Sequence, residues 1–211
     1  MAFVVLFGVA ATLYASGAGS SQPDVSAYYS DPGQWSQQIE GFGVLTVASI
    51  ALMIFVVTLC HTLIRQVWWR DVALLSGTAG VVFLMLANML WSATAFTVLI
   101  QHHYQVLATT HLLVEDAAFV GLVVAMAAAI PWVLIVSWSG ARQGVVPIWF
   151  GALGGAASAL GQALSYWYFP LAIFLLWVVV ASLLLAVRWR ALSEPQPEPL
   201  AEVRNRPRVE L

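Results

Sequence analysis

The sequence predicts an all-α membrane protein built as a bundle of six transmembrane helices. Two observations predict it. First, the 211 residues are 61% hydrophobic and 9% charged, with mean hydropathy +0.87, where a soluble domain carries about 25% charged residues. So few charges cannot clothe a surface in water, and lipid must be the solvent for most of the chain. Second, the chain contains six apolar stretches near the length a membrane helix needs, about 20 residues, with mostly short polar connections between them.

Segment one covers about 3–19. It is short for a span, and YASGAGS resembles a small-residue cleavage site, so a signal peptide competes with a membrane helix. The positive n-region of a signal peptide is missing, which favours the helix; removing the segment would leave five spans. Residues 20–40 read as a polar loop carrying Pro23, Pro32, Asp24, Asp31 and Glu40. Segment two, 41–64, stops at Arg65, and the turn RQVWWRD leads to segment three, 72–100. QHHYQVLATT links it to segment four, 111–138. There Pro131 removes one backbone hydrogen bond and bends the helix. SGARQG leads to segment five, 145–166. Segment six, 169–187, opens at an aromatic corner, YWYFP, whose Pro170 suits a first helical turn; Arg188 bounds it. Residues 1–190 thus form one transmembrane domain. Residues 191–211 are Pro-rich, charged and too poor in large apolar side chains to fold alone, which predicts a disordered tail.

Arginine sets the orientation. All eight basic residues are arginine. Arg65 and Arg70 lie between segments two and three, Arg142 between four and five, and Arg188, Arg190, Arg204, Arg206 and Arg208 after six. Six spans put all of them on one side, which is then cytoplasmic, together with both termini. The expected location is a bacterial plasma membrane.

Strongly polar residues at membrane level point to function or to packing. Asn88, Gln162, His102, His103, His111, Glu115 and Asp116 all fall toward the side opposite the arginines. His111 and Glu115 are four apart, so a helix puts them on one face. An imidazole and a carboxylate so placed offer two ligands to a divalent metal, with His102 or His103 as a third. The competing reading has Glu115 and Asp116 at the start of segment four, in the headgroup zone, complementing the helix dipole. Asn88 and Gln162 either bond to neighbouring helices or line a cavity. Gly151 and Gly155 are spaced GxxxG, and Ala157 and Gly161 continue the stripe. Such residues allow close helix packing, within the bundle or against a second chain of the same or another kind.

No soluble-enzyme motif is present: no phosphate loop, GxSxG, HExxH or CxxC. The single Cys60 excludes an internal disulfide, and net charge −2 does not favour nucleic acid. No cofactor is expected, and the lipid bilayer is the first partner. A non-enzymatic accessory or assembly protein leads. A small-solute or ion transporter with an outward-facing polar vestibule comes second, and a membrane enzyme or metal site at His111 and Glu115 third.

Three stretches carry a resemblance. AYYSDPGQW before segment two resembles the Tyr-Tyr-x-Asp-Pro element of a group of actinobacterial integral membrane proteins of unassigned function. EDAAFVGLVVAMAAAIPWVLI, GVVPIWFGALGGAASALG and YFPLAIFLLWVVVASLLL resemble that group's fourth, fifth and sixth helices. The resemblance spans roughly residues 25–190 and implies a six-helix fold. It implies no catalytic residues.

Overall fold

A computed structural model describes residues 1–15, 19–101, 104–163 and 169–193, with side chains except those of 157–163, 169–170 and 188–193. The described residues form seven helices: α1 (Ala2–Tyr14), α2 (Gln22–Ser30), α3 (Pro32–Leu63), α4 (Val67–Ile100), α5 (Ala108–Arg142), α6 (Ile148–Ala163) and α7 (Phe169–Ser193). Three of them, α3, α4 and α5, with 32, 34 and 35 residues, are long and apolar enough to cross a membrane. At 1.5 Å per residue each reaches about 50 Å, well past a hydrocarbon core of about 30 Å. The other apolar helices are shorter. α1 has 13 residues and α6 has 16. Residues 16–18 and 164–168, where segments one and five were expected to end, lie outside the described residues, as does the tail from 194 onward.

The helices pack in sequence. α1 lies along α3, α3 on α4, α4 on α5, α5 on α6, α6 on α7, and α7 returns to α1. Phe3 of α1 meets Phe174 of α7 edge-on. The small α2 lies across the ends of α3 and α5.

Inward faces carry small or branched residues, such as Ala48, Val56, Ala73 and Ala87. Outward faces are also apolar: Val47, Ile50, Ile54 and Val57 on α3, and Leu75, Val82, Leu86 and Met89 on α4, are exposed at helical spacing. A water-soluble bundle would bear charge there; these faces match lipid.

At the α4–α5 seam the two backbones approach closely. A Cβ at Gly80 would lie 3.0 Å from Ala129 Cβ and 3.1 Å from the Ala125 carbonyl, and one at Gly121 would lie 3.2 Å from Ala87 Cβ. Pro131 sits inside α5 as expected. Next to it, the Ser76 hydroxyl of α4 donates to the Ala128 carbonyl (2.6 Å) and accepts from the Trp132 N–H (3.0 Å). An α-helix joins those two groups directly; here a hydroxyl of the neighbouring helix bonds to both.

One expectation is corrected. Residues 20–40 are not a loop. Ser21 caps α2 by accepting from the Asp24 N–H at 3.3 Å, with Pro23 in the first turn. Asp31 caps α3 by accepting from the Gly33 N–H at 2.8 Å, with Pro32 first in the helix. Both are ordinary helix-start chemistry. The turn 65–71 is likewise shorter than expected, because Val67 to Asp71 already belong to α4.

Two glutamines close the ends. Gln22 of α2 accepts from the Ala108 N–H (2.8 Å) and donates to the Val106 carbonyl (2.9 Å), satisfying the start of α5. At the other end Gln143 donates to the Leu63 carbonyl at the end of α3 (2.9 Å). The turn after it uses Gly144 at φ +64, a conformation open to glycine. Arg142 there lies over the Trp138 ring, 4.7 Å from its centre.

Candidate functional site

The polar groups gather at the α2 end in two adjoining sets. The first centres on Asn88, which is 1% exposed. Its Oδ1 accepts from the Tyr14 hydroxyl of α1 at 2.7 Å. Its amide nitrogen donates to the Phe42 carbonyl (3.1 Å) and to Thr46 Oγ1 (3.2 Å), both of α3. Ser92 Oγ lies 2.8 Å from the Tyr14 oxygen. Since the Tyr14 proton goes to Asn88, Ser92 donates to Tyr14 there. Every hydrogen of the Asn88 amide therefore has a partner, and the group joins α1, α3 and α4. In an apolar setting such bonds replace the water an amide would otherwise need.

The second set centres on His111, 2% exposed on the first turns of α5. Tyr29 of α2 packs edge-on against the imidazole, and its hydroxyl lies 3.3 Å from Nδ1. The same hydroxyl lies 3.4 Å from Gln38 Oε1. Burial pushes the Tyr29 phenol up to about 12, with hydrogen bonds to Gln38 and Thr94 opposing, so it stays a neutral donor at neutral pH. Glu115 Oε1 stands 3.3 Å from His111 Nε2. That approach misses hydrogen-bond geometry, and Nε2 has no hydrogen-bond partner. With its proton on Gln38 Oε1, the Tyr29 oxygen accepts from the His111 Nδ1–H.

Glu115 and Asp116 do not begin their helix. α5 starts at Ala108 and carries no acid in its first turn, because Gln22 supplies its cap. The pair sits two turns in, Glu115 half-buried and Asp116 exposed. Both line a cleft of about 510 Å³ between α1 and α5. Tyr14 and Trp91 flank its mouth, their rings 5.6 Å apart. Phe119, Leu122 and Phe7 line its depth. Behind Phe7 and Leu122 lies an apolar void of about 30 Å³. Beyond the void the centre is filled by Trp132, Trp177 and Phe174, in mutual ring contact. Asn88 lines neither space.

The structure brings together His111, Glu115 and Asp116, and leaves Asn88 beside them but separate. His102 and His103 lie outside the described residues, and so does the side chain of Gln162 on α6. Among the described residues no three of His, Cys, Asp and Glu form a group suited to a metal. On α6 the close contact with α5 falls on Gly151 and Gly154. A Cβ at Gly151 would lie 3.2 Å from Ala141 Cβ, and one at Gly154 would overlap the Ser137 side chain. A Cβ at Gly155 meets nothing within 4 Å. The GxxxG spacing thus gives the wrong second residue for contact within the chain; Ala157 and Gly161 lie where side-chain surroundings are not described.

Sequence reasoning missed Tyr29, Gln38, Tyr14 and Trp91. The helix-start pairs Ser21 with Asp24 and Asp31 with Pro32 were signals that 20–40 folds back. AYYSDPGQW is then the α2–α3 corner. Tyr28 donates to the Gln34 carbonyl (3.1 Å), Tyr29 meets His111, and Asp31 caps.

No protein family, curated protein or solved structure matches this chain. What the fold defines is an all-α chain with three candidate membrane-crossing helices, consistent with a multi-pass membrane protein.

Proposed function

We propose that the chain is a six-span integral membrane protein with both termini in the cytoplasm, acting as a non-enzymatic accessory or assembly component. The observation that carries the functional part is the fate of Asn88. The innermost strongly polar side chain among the described residues has all its hydrogens bonded to neighbouring helices and lines no passage. Below the cleft the centre is packed with aromatic rings. The arginine distribution supports the orientation, and the resemblance to the actinobacterial six-helix group agrees with the span count.

The test has two parts. Reporter fusions after Arg70, Arg142 and Arg190 are expected to read cytoplasmic; a fusion within 101–110 reading cytoplasmic overturns the topology. Proteoliposomes containing the chain alone are expected to pass Na⁺, K⁺ and H⁺ no faster than empty ones. Flux well above that level, lost in Asn88→Leu, overturns the accessory reading. A second reading, a transporter with an outward-facing vestibule, is favoured by one observation, the 510 Å³ cleft with its acidic rim.

A further inference from the structure

The cleft has an ordered polarity. α1 and α5 run in opposite directions along it, so Tyr14 is level with Glu115 and Asp116, and Phe7 with Leu122. From rim to depth the lining changes from carboxylate to aromatic to aliphatic over seven residues of α5, about 10 Å at the helical rise. Its volume, about 510 Å³, falls among small-molecule sites, which run from roughly 300 to 1,000 Å³.

The acids are not used up by the fold. Among the described residues Asp116 has no hydrogen bond or ion pair, and Glu115 makes no hydrogen bond, its one close ion-pair contact being the oblique approach to His111. The buried Nε2 of His111, itself without a hydrogen-bond partner, stands beside one Glu115 oxygen and leaves the other to the cleft. A hard divalent ion is a poor fit, since Ca²⁺ wants six to eight oxygens and Mg²⁺ a near-ideal octahedron. A weakly hydrated cation suits the lining better. Aromatic faces attract such a charge, and Phe119, Leu122 and Phe7 would cover an apolar body.

We propose that this cleft binds an organic cation made of an ammonium head on an apolar body, with the head held between Glu115 and Asp116 beside Tyr14 and Trp91, and the body against Phe119, Leu122 and Phe7. The side from which it arrives rests on the proposed topology; the site itself does not.

The test uses the purified full chain in dodecyl maltoside and radiolabelled octyltrimethylammonium as probe, measured by equilibrium dialysis against protein-free micelles. Saturable binding near one per chain is expected. Glu115→Gln with Asp116→Asn, which keeps side-chain shape, is expected to weaken it at least tenfold with an unchanged thermal midpoint. Ala11→Trp, which fills the cleft and keeps both acids, is expected to abolish it. If Ala11→Trp does not fold, the shape-conserving pair decides. Adding phosphatidylethanolamine and phosphatidylglycerol separately identifies the source. Displacement by the first alone makes the ligand a lipid amine; displacement by neither makes it a free cation. No saturable binding, undiminished binding by the double variant, or equal displacement by octyl sulfate overturns the proposal. Binding together with inverted reporter fusions would keep the site and refute only the orientation.

Discussion

α5 faces two neighbours in opposite ways. Toward α4 it presents Gly121, Ala125 and Ala129, and the helices approach until no further Cβ fits. Toward α1 it presents Glu115, Asp116, Phe119 and Leu122, and a cleft remains. The same helix is thus sealed on one side and open on the other. In lipid there is little hydrophobic gain from pressing two apolar helices together, so association depends on close packing and hydrogen bonds. Small residues permit both, whereas charges and large rings hold the neighbour off. The contrast teaches that openness here is written in side-chain size and charge, not in helix length.

The largest effect is expected at the seam. Gly80→Leu must displace the α5 backbone at Ala125, since a carbonyl cannot swing aside as a side chain can. Overpacking against backbone lies at the upper end of the usual range, about 3 kcal/mol. Loss of accumulation, or a much lower thermal midpoint in detergent, checks it. Next comes a pair on α6. Gly154→Leu collides with Ser137 and is expected to cost about 2 kcal/mol, while Gly155→Leu is expected to leave the midpoint unchanged. Equal damage from both would place Gly155 against a second chain. Ser76→Ala removes two hydrogen bonds at Pro131, worth about 1–2 kcal/mol together. Faster hydrogen exchange around Trp132 is the readout. Smallest is the open side. Glu115→Gln with Asp116→Asn is expected to shift stability by less than about 1 kcal/mol, the scale of a helix-dipole interaction. A large loss of stability there would make the acids part of the scaffold and remove the contrast.

The three long helices were legible because each carries an apolar run that no loop would tolerate. The polar faces were harder to place. Asn88 reads as a buried amide from its surroundings, but its partner Tyr14 lies 74 residues away, and nothing local announces that pairing. His111 was visible as a polar residue near a helix start. Its burial was not, because the cover is Tyr29, in a stretch whose prolines and acids read as loop. Those prolines and acids sit at helix starts, where a missing N–H costs nothing and a carboxylate is a cap. The same residue types mean loop or helix depending on whether a helical run begins after them, and composition alone does not register that. The register of the glycine stripe failed for a related reason. Spacing alone does not tell which of Gly154 and Gly155 faces the neighbour.

Ser76 also bears on how the chain is made. Synthesis runs from the N-terminus, so α4 enters the membrane before α5. When α5 emerges, Pro131 leaves the Ala127 carbonyl without its helical donor, and an unsatisfied backbone group in hydrocarbon costs several kcal/mol. A hydroxyl is already waiting one turn away, on a helix that has been inserted, and it takes up the neighbouring Ala128 carbonyl and Trp132 N–H. Order of synthesis thus puts the donor helix before the helix it serves: α5 is the more apolar of the two, with mean hydropathy 2.6 against 1.9, and what α4 supplies to it is a hydroxyl. A chain with the two helices exchanged in order would offer the proline-broken span to the bilayer before its partner existed.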